Sequence, residues 1–248
     1  MSDDERTRRG IERSLRIYYD EQRDTAAMDT LYGRFVKADT LVFDIGSHVG
    51  DRIAAFRRLG ARVVACEPNP SLVPTLRRLY GGDGMVTLEP VAVGAAPGEI
   101  EMRINTDNPT VSTASEDFLK ASEGAPGWEG QSWDKSITVG VTTLDALIAK
   151  HGTPAFIKID VEGFEAAALA GLTQPVAALS FEFTTIQRDV AQACIARCRD
   201  LGYIRYNAAL GESQTFVHAD WQSADVIGRW LTALPLSANS GDIYASRA

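Results

Sequence analysis

Residues 41–51 read Leu41-Val42-Phe43-Asp44-Ile45-Gly46-Ser47-His48-Val49-Gly50-Asp51. An apolar run closed by an acid and a glycine fits a strand buried on both faces, as in a parallel sheet. The next stretch, DRIAAFRRLG (51–60), predicts a short helix stopped by Gly60. ARVVACEP (61–68) repeats the buried strand, SLVPTLRRLY (71–80) predicts a second helix with Pro74 near its start, and MVTLEPVAVG (85–94) a third strand and its exit. Strand, glycine turn, helix and strand in this rhythm predict an α/β fold with a doubly wound, mostly parallel sheet.

Outward from this core the rhythm changes twice. Residues 98–141 hold two strand-like segments, GEIEMRIN and SITVGV, around a Gly-, Ser-, Thr- and Pro-rich stretch with Trp128 and Trp133. A connection longer than ~12–15 residues is usually functional in a compact domain, so this reads as a substrate-facing insertion. Alternation then resumes: TTLDALIAKHG as helix, PAFIKIDVEG as strand, FEAAALAGL as helix, VAALSFEF as strand and VAQACIARCRDLG as helix. YIRYNA, QTFVHA and DIYASR are expected as closing strands, with the helix SADVIGRWLTAL before the last. At the N-terminus, Ile11, Leu15, Tyr18 and Tyr19, then Met28, Leu31, Tyr32 and Phe35, recur at helical spacing. Residues 1–37 are therefore expected as a helical cap, with a lid or a homodimer element as the sharper reading. Residues 38–248 form the main domain.

Composition narrows the partners. The chain of 248 residues is 45% hydrophobic and 23% charged, with net charge −8, ordinary for a globular domain but a poor start for gripping a phosphate backbone. No apolar run approaches the ~18–20 residues of a membrane span, and MSDDERTRRG lacks the apolar core of a secretory signal. Cys66, Cys194 and Cys198 form no CxxC, and with three histidines in the chain a zinc centre is not expected. A reduced, cytoplasmic setting and a small-molecule partner, with no nucleic acid and no membrane, are the expectation.

Open α/β sheets bind ligands outside the carboxyl ends of their strands. Here the expected strand ends carry Asp44, Glu67, Glu89, Asp160 (with Glu162 two residues on) and Glu182. The Asp44–Gly50 turn is not a dinucleotide fingerprint, because His48 and Asp51 stand where glycines would be needed, and no Gly-Lys-Ser/Thr follows for a phosphate loop. An acid before a glycine turn suits an ammonium group. Glu67, seventeen residues past Gly50, suits the two hydroxyls of a ribose. An amino acid at one end and a ribose in the middle describe S-adenosylmethionine. Asp44, Gly46, Ser47, His48 and Gly50 are assigned to its methionine end, Glu67 and Asn69 to its ribose, and Val91 and Ala92 to the adenine.

LVFDIGSHVGD, ACEPNP, VAVGAAPGEIEM, VTTLDAL and FIKIDVEGFEAAALAGL together resemble the FkbM family of S-adenosylmethionine-dependent methyltransferases, over residues from about 40 to 185. KIDVEG (158–163) is the most specific piece and TLDAL (143–147) the second. One departure is His48, where such loops carry Asn or another small residue. The resemblance implies a Rossmann-like class I methyltransferase fold, a seven-stranded sheet flanked by helices, and O-methylation of a hydroxyl on a natural product or sugar-like acceptor. N-methylation on the same fold and a non-catalytic cofactor-binding module are the alternatives. Methyl transfer from a sulfonium needs an oriented acceptor whose proton is removed, which singles out Asp160 and Glu162, with Glu182 as a proton-sharing partner. Lys158 falls on the same strand face as Asp160, so an ion pair is expected first and a direct catalytic part second. Mg2+ held by these carboxylates is the weaker reading, and no metal ligands are assigned.

Overall fold

The computed structural model describes residues 2–19 and 25–248. Positions 20–24 of the expected N-terminal helical stretch lie outside the described residues. Along the chain run α1 (Asp3–Tyr18), α2 (Thr25–Tyr32), β1 (Leu41–Ile45), α3 (Asp51–Arg58), β2 (Arg62–Cys66), α4 (Val73–Tyr80), β3 (Val86–Glu89), β4 (Ala92–Val93), β5 (Gly98–Ile104) and α5 (Glu116–Ser122). There follow β6 (Lys135–Thr142), α6 (Leu144–His151), β7 (Phe156–Ile159), α7 (Glu165–Ala170), β8 (Ala178–Thr184), α8 (Arg188–Asp200), β9 (Arg205–Leu210), α9 (Ala224–Ala233) and β10 (Ser240–Ser246).

Seven strands form the main sheet in the order β3-β2-β1-β7-β8-β10-β9. The first five are mutually parallel, and β10 runs antiparallel to both β8 and β9. The expected mostly parallel, seven-stranded α/β fold is therefore the observed one. Every residue of β1 and β7 is buried, which explains why both read as continuous apolar runs rather than alternating ones. On one face Leu147, Leu169, Cys194, Ile195 and Leu231 bring α6 to α9 against the strands. On the other, Met28, Leu31, Tyr32, Ile53, Phe56 and Leu76 bring α2, α3 and α4. Phe35, just past α2, stacks on Phe156 and Tyr244, so the second half of the N-terminal segment belongs to this core. All three cysteines are free and buried, packed as small apolar residues.

The two strands expected within residues 98–141 form as β5 and β6, which pair along seven positions and join β4 in a separate three-stranded sheet. The exit from the third strand, Ala92–Val93, is therefore the first strand of that second sheet. Trp128 and Trp133 meet Phe118 edge-on and close a small core with Val111, so they do not wall the pocket described below. QTFVHA (214–219) forms no strand. The edge β9 receives a single backbone bond from it, Val217 N–H to Ala208 C=O at 2.8 Å, while the Asn207 side chain ties down His218.

Candidate active site

The order of the sheet reverses between β1 and β7, the place where such sheets open a crevice. A pocket of about 1030 Å³, open solvent included, lies there. Its walls include every sequence-assigned residue except Asp44 and Gly50. Lys158, Asp160, Glu162 and Glu182 arrive from β7, the turn after it, and β8. Gly46, Ser47 and His48 come from the turn after β1, Glu67 and Asn69 from the turn after β2, and Val91 and Ala92 from the crossover to the second sheet.

The β1 turn is shaped by close backbone approach. Gly46 has φ of +84°, and a Cβ added there would stand 1.7 Å from the Asp160 carbonyl oxygen. Its N–H and that of Ser47 both donate to Cys66 C=O at 3.0 Å, and Asp160 N–H donates to Ile45 C=O at 2.9 Å. Gly46 is thus the point where β1, β2 and the β7 turn are drawn together. Gly46→Ala combines a left-handed backbone with a backbone collision, and should cost roughly 3–5 kcal/mol. A melting temperature lowered by about 10 °C is expected for a chain of this size, against little change for Gly84→Ala, where the added Cβ meets nothing within 4 Å. Equal melts for the two variants would contradict this account of the turn.

Asp44 and Gly50 act from behind the wall. Asp44 is fully buried and neither carboxylate oxygen has a hydrogen-bond partner. Burial pushes its pKa up to about 6, a proton affinity that a nearby cationic group would reduce. Asp44 therefore lies beneath the turn rather than on its surface. Gly50, at φ +87°, starts α3 and lies against Tyr80, which donates to Gly50 C=O at 2.6 Å.

Glu67 receives His48 N–H and Asn69 N–H, each at 2.8 Å. Burial nevertheless dominates and raises it to about 7. Each oxygen keeps a further lone pair, so the carboxylate is aimed and braced while still able to accept from a ligand. Asn69 is 1% exposed and its Nδ2 has no partner. These unsatisfied buried groups, an acid beneath the turn and an amide beside Glu67, fit an amine at one end and hydroxyls in the middle of a bound molecule.

Lys158 is 2% exposed and donates to Asp160 Oδ2 at 2.5 Å, the ion pair expected from strand alternation. Burial works against both charges, yet the pair wins. Asp160 stays below the usual carboxylate range beside Lys158 and Arg52, and Lys158, facing Asp160 and Asp242, stays above the usual lysine range. Burial and the Asp160 charge push Glu162 and Glu182 the other way, well up. Oxygens of Asp160, Glu162 and Glu182 all lie within 4.8 Å of one another. Acids this close do not all ionise together, the arrangement by which one carboxylate stays ionised while its neighbours hold protons more tightly.

Glu89, the remaining strand-end acid, does not join them. It is held by Lys150 at 2.7 Å and His151 at 2.8 Å, at the end of the edge strand β3. Conversely, several residues reach the site without a sequence signal. Tyr18 of α1 lines the pocket and meets the His48 ring edge-on at 5.6 Å. Thr110 stands 3.4 Å from His48 Nε2, whose ring burial keeps neutral with a pKa near 4. Arg52 is bound by Asp51 and, at 2.9 and 3.0 Å, by Glu212. Glu165 accepts from Val161 N–H at 3.0 Å and Gly163 N–H at 3.2 Å and so holds the turn that carries Glu162.

A pH dependence of stability follows. Asp44 and Asp242 are raised to about 6, and Glu67 and Glu165 to about 7, all by burial first. The fold therefore keeps protons that the unfolded chain releases, and stability falls as pH rises through these values. His48, lowered to about 4, acts only below the pKa of a free histidine, and Asp160 acts lower still. Between pH 6.5 and 8 the melting temperature of the ligand-free protein is thus expected to fall. A flat or rising profile would contradict the buried acid cluster.

No curated protein matches this sequence. Among solved structures, a TehB-like SAM-dependent methyltransferase from Corynebacterium glutamicum aligns at 12% identity over 96% of each chain, with a TM-score of 0.48. A SAM-dependent O-methyltransferase from Thermotoga maritima aligns at 12% identity over 94% of this chain and 70% of its own, with a TM-score of 0.46. Precorrin-6y C5,15-methyltransferase from Geobacter metallireducens aligns at 14% identity over 92% and 90%, with a TM-score of 0.43. The described residues contain no helix long and apolar enough to cross a membrane. The methyltransferase FkbM domain model matches residues 44–217, from the acid of the β1 turn to the segment after β9, and the chain belongs to this family of S-adenosylmethionine-dependent methyltransferases.

Proposed function

We propose that this protein methylates a hydroxyl group of a small, polar acceptor, with S-adenosylmethionine as donor. The observation that carries the reading is the cluster of Asp160, Glu162 and Glu182 beside the β1 turn, with oxygens within 4.8 Å of one another. The acidic Asp44 lies beneath the methionine end and Glu67 takes the ribose hydroxyls. Bound there, S-adenosylmethionine would supply an electrophilic methyl group to an acceptor held beside the carboxylate cluster. Asp160, kept ionised by Lys158, accepts a hydrogen bond from the acceptor hydroxyl and aligns its oxygen with the methyl group. Asp160 takes that proton as the O–CH3 bond forms and the S–CH3 bond breaks, and shares it with Glu182 or Glu162, whose proton affinities are raised by burial and by Asp160. Lys158 supports Asp160 from behind. Tyr18 and Thr110 border the side from which the acceptor enters.

The acceptor is a small molecule in this reading, since the chain carries net charge −8 and the site is lined with carboxylates that would repel a polynucleotide backbone. The test is a turnover screen that follows S-adenosylhomocysteine release with sugars, polyols and phenols beside matched amines. Turnover with hydroxyl acceptors and none with the amines is expected. Turnover confined to amines would replace this reading with N-methylation.

A further inference from the structure

One face of the main sheet carries more carboxyl groups than cations. Asp44 pairs in register with Lys158, Lys158 with Ser180, and Glu182 with Asp242, so these side chains share a face across β1, β7, β8 and β10. Lys158 is committed to Asp160, and Arg52 to Asp51 and Glu212. Glu182 and Asp242 stand directly opposite each other on antiparallel strands, a position in which like charges repel. One oxygen of each, Glu182 Oε2 and Asp242 Oδ1, is buried and without a hydrogen-bond partner, while Glu182 also meets the Asp160 carboxylate. Asp242 is only 7% exposed, and Glu162 9%. Asp160, Glu162 and Glu182 thus converge, with Asp242 beside Glu182 in register, where Lys158 is, among the described residues, the one ammonium on the sheet face.

We propose that Asp160, Glu162, Glu182 and Asp242 form a site for one hard divalent cation, Mg2+ or Mn2+. Such ions prefer carboxylate oxygens, and opposite ligands around Mg2+ stand about 4.1 Å apart. The Asp160, Glu162 and Glu182 oxygens lie within 4.8 Å of one another, so a shared ion would draw them together as neighbouring ligands. Asp160 would offer the ion Oδ1 while Oδ2 stays with Lys158. Asp242, behind Glu182, supplies charge to the site as an outer partner or through a water. The remaining positions face the pocket and accept oxygen atoms of water or of the acceptor, whose hydroxyl the ion would acidify. The proposal rests on the acceptor reading above, with an ion rather than a shared proton holding these carboxylates together, but cation binding itself needs neither cofactor nor acceptor.

The test is a Mn2+ titration of the metal-free full chain, followed by loss of the free-ion electron paramagnetic resonance signal. Saturable binding of one Mn2+ per chain, displaced by Mg2+, is expected. Glu182→Gln and Asp242→Asn should each weaken it tenfold or more, while Glu89→Gln, at an acid already held by Lys150 and His151, should not. Folding of each variant is checked by circular dichroism. A Mg2+-induced rise in the wild-type melting temperature, abolished by chelator, gives a readout that needs no variant. Absence of saturable Mn2+ binding by the folded wild type, or unchanged affinity in both variants, would overturn the proposal. Calorimetry with S-adenosylhomocysteine in chelator separates the two readings: binding there without Mn2+ binding removes only the cation site, and loss of both removes the cofactor reading as well.

Discussion

Asp160→Asn is expected to bind S-adenosylhomocysteine within a few-fold of the wild type while losing ~10²–10⁴-fold in kcat, the range that a positioned acid–base group contributes. The two effects separate in the proposed reading, which gives Asp160 of the β7 turn to the acceptor and the β1 and β2 turns to the cofactor. Asparagine keeps the shape and one acceptor oxygen but no longer stays ionised beside Lys158. Loss of a buried ion-pair partner costs stability, so the variant is expected to melt lower, although Lys158 still faces Asp242. For this reason turnover is compared at a temperature where both proteins are fully folded. Full kcat in Asp160→Asn with an identified acceptor would remove Asp160 from the chemistry and leave it as a partner for the buried lysine alone.

Glu67→Ala is expected to reverse that pattern, with cofactor affinity lost and the chemistry on any bound cofactor little changed. A carboxylate that accepts two ribose hydroxyls contributes about 1.5–3 kcal/mol per charged hydrogen bond, offset in part by desolvation. A net ~2–4 kcal/mol corresponds to roughly 30- to 1000-fold in Kd. The substitution also strips the acceptor from His48 N–H and Asn69 N–H, which loosens the turn that carries Ser47 and His48. Adenosine shares the ribose with the full cofactor, so it should lose affinity in parallel, and calorimetric titration of both ligands checks this. Unchanged adenosine binding in Glu67→Ala would place the ribose elsewhere.

The half of the site built on β1, β2 and β7 was legible because buried parallel strands announce themselves. LVFDIG, RVVACE and FIKID each run apolar to a terminal acid, and the sheet gathers Asp44, Glu67 and Asp160 near one crevice. The same reasoning fails for Glu89, since β3 is the edge strand and its end lies two strands from the switch point, where Lys150 and His151 reach it. Asp242 was legible as part of a strand but not as a site residue: only the antiparallel register with β8 sets it opposite Glu182. Tyr18 was legible as part of a helical stripe, yet its place over His48 depends on where α1 docks, which periodicity does not encode. The second sheet was missed because Ala92–Val93 is too short to read as a strand, and its partners lie more than forty residues further on. QTFVHA alternates like a strand, but tertiary context assigns it a loop over β9.

Binding of S-adenosylmethionine in the crevice between β1 and β7, through the acid-glycine turn and Glu67, is checked by calorimetric titration of the purified protein with S-adenosylhomocysteine, beside NAD as control. Saturable binding of one S-adenosylhomocysteine per chain, severely weakened in Glu67→Ala, and no binding of NAD are expected. Binding of NAD, or S-adenosylhomocysteine affinity indifferent to Glu67, would contradict it.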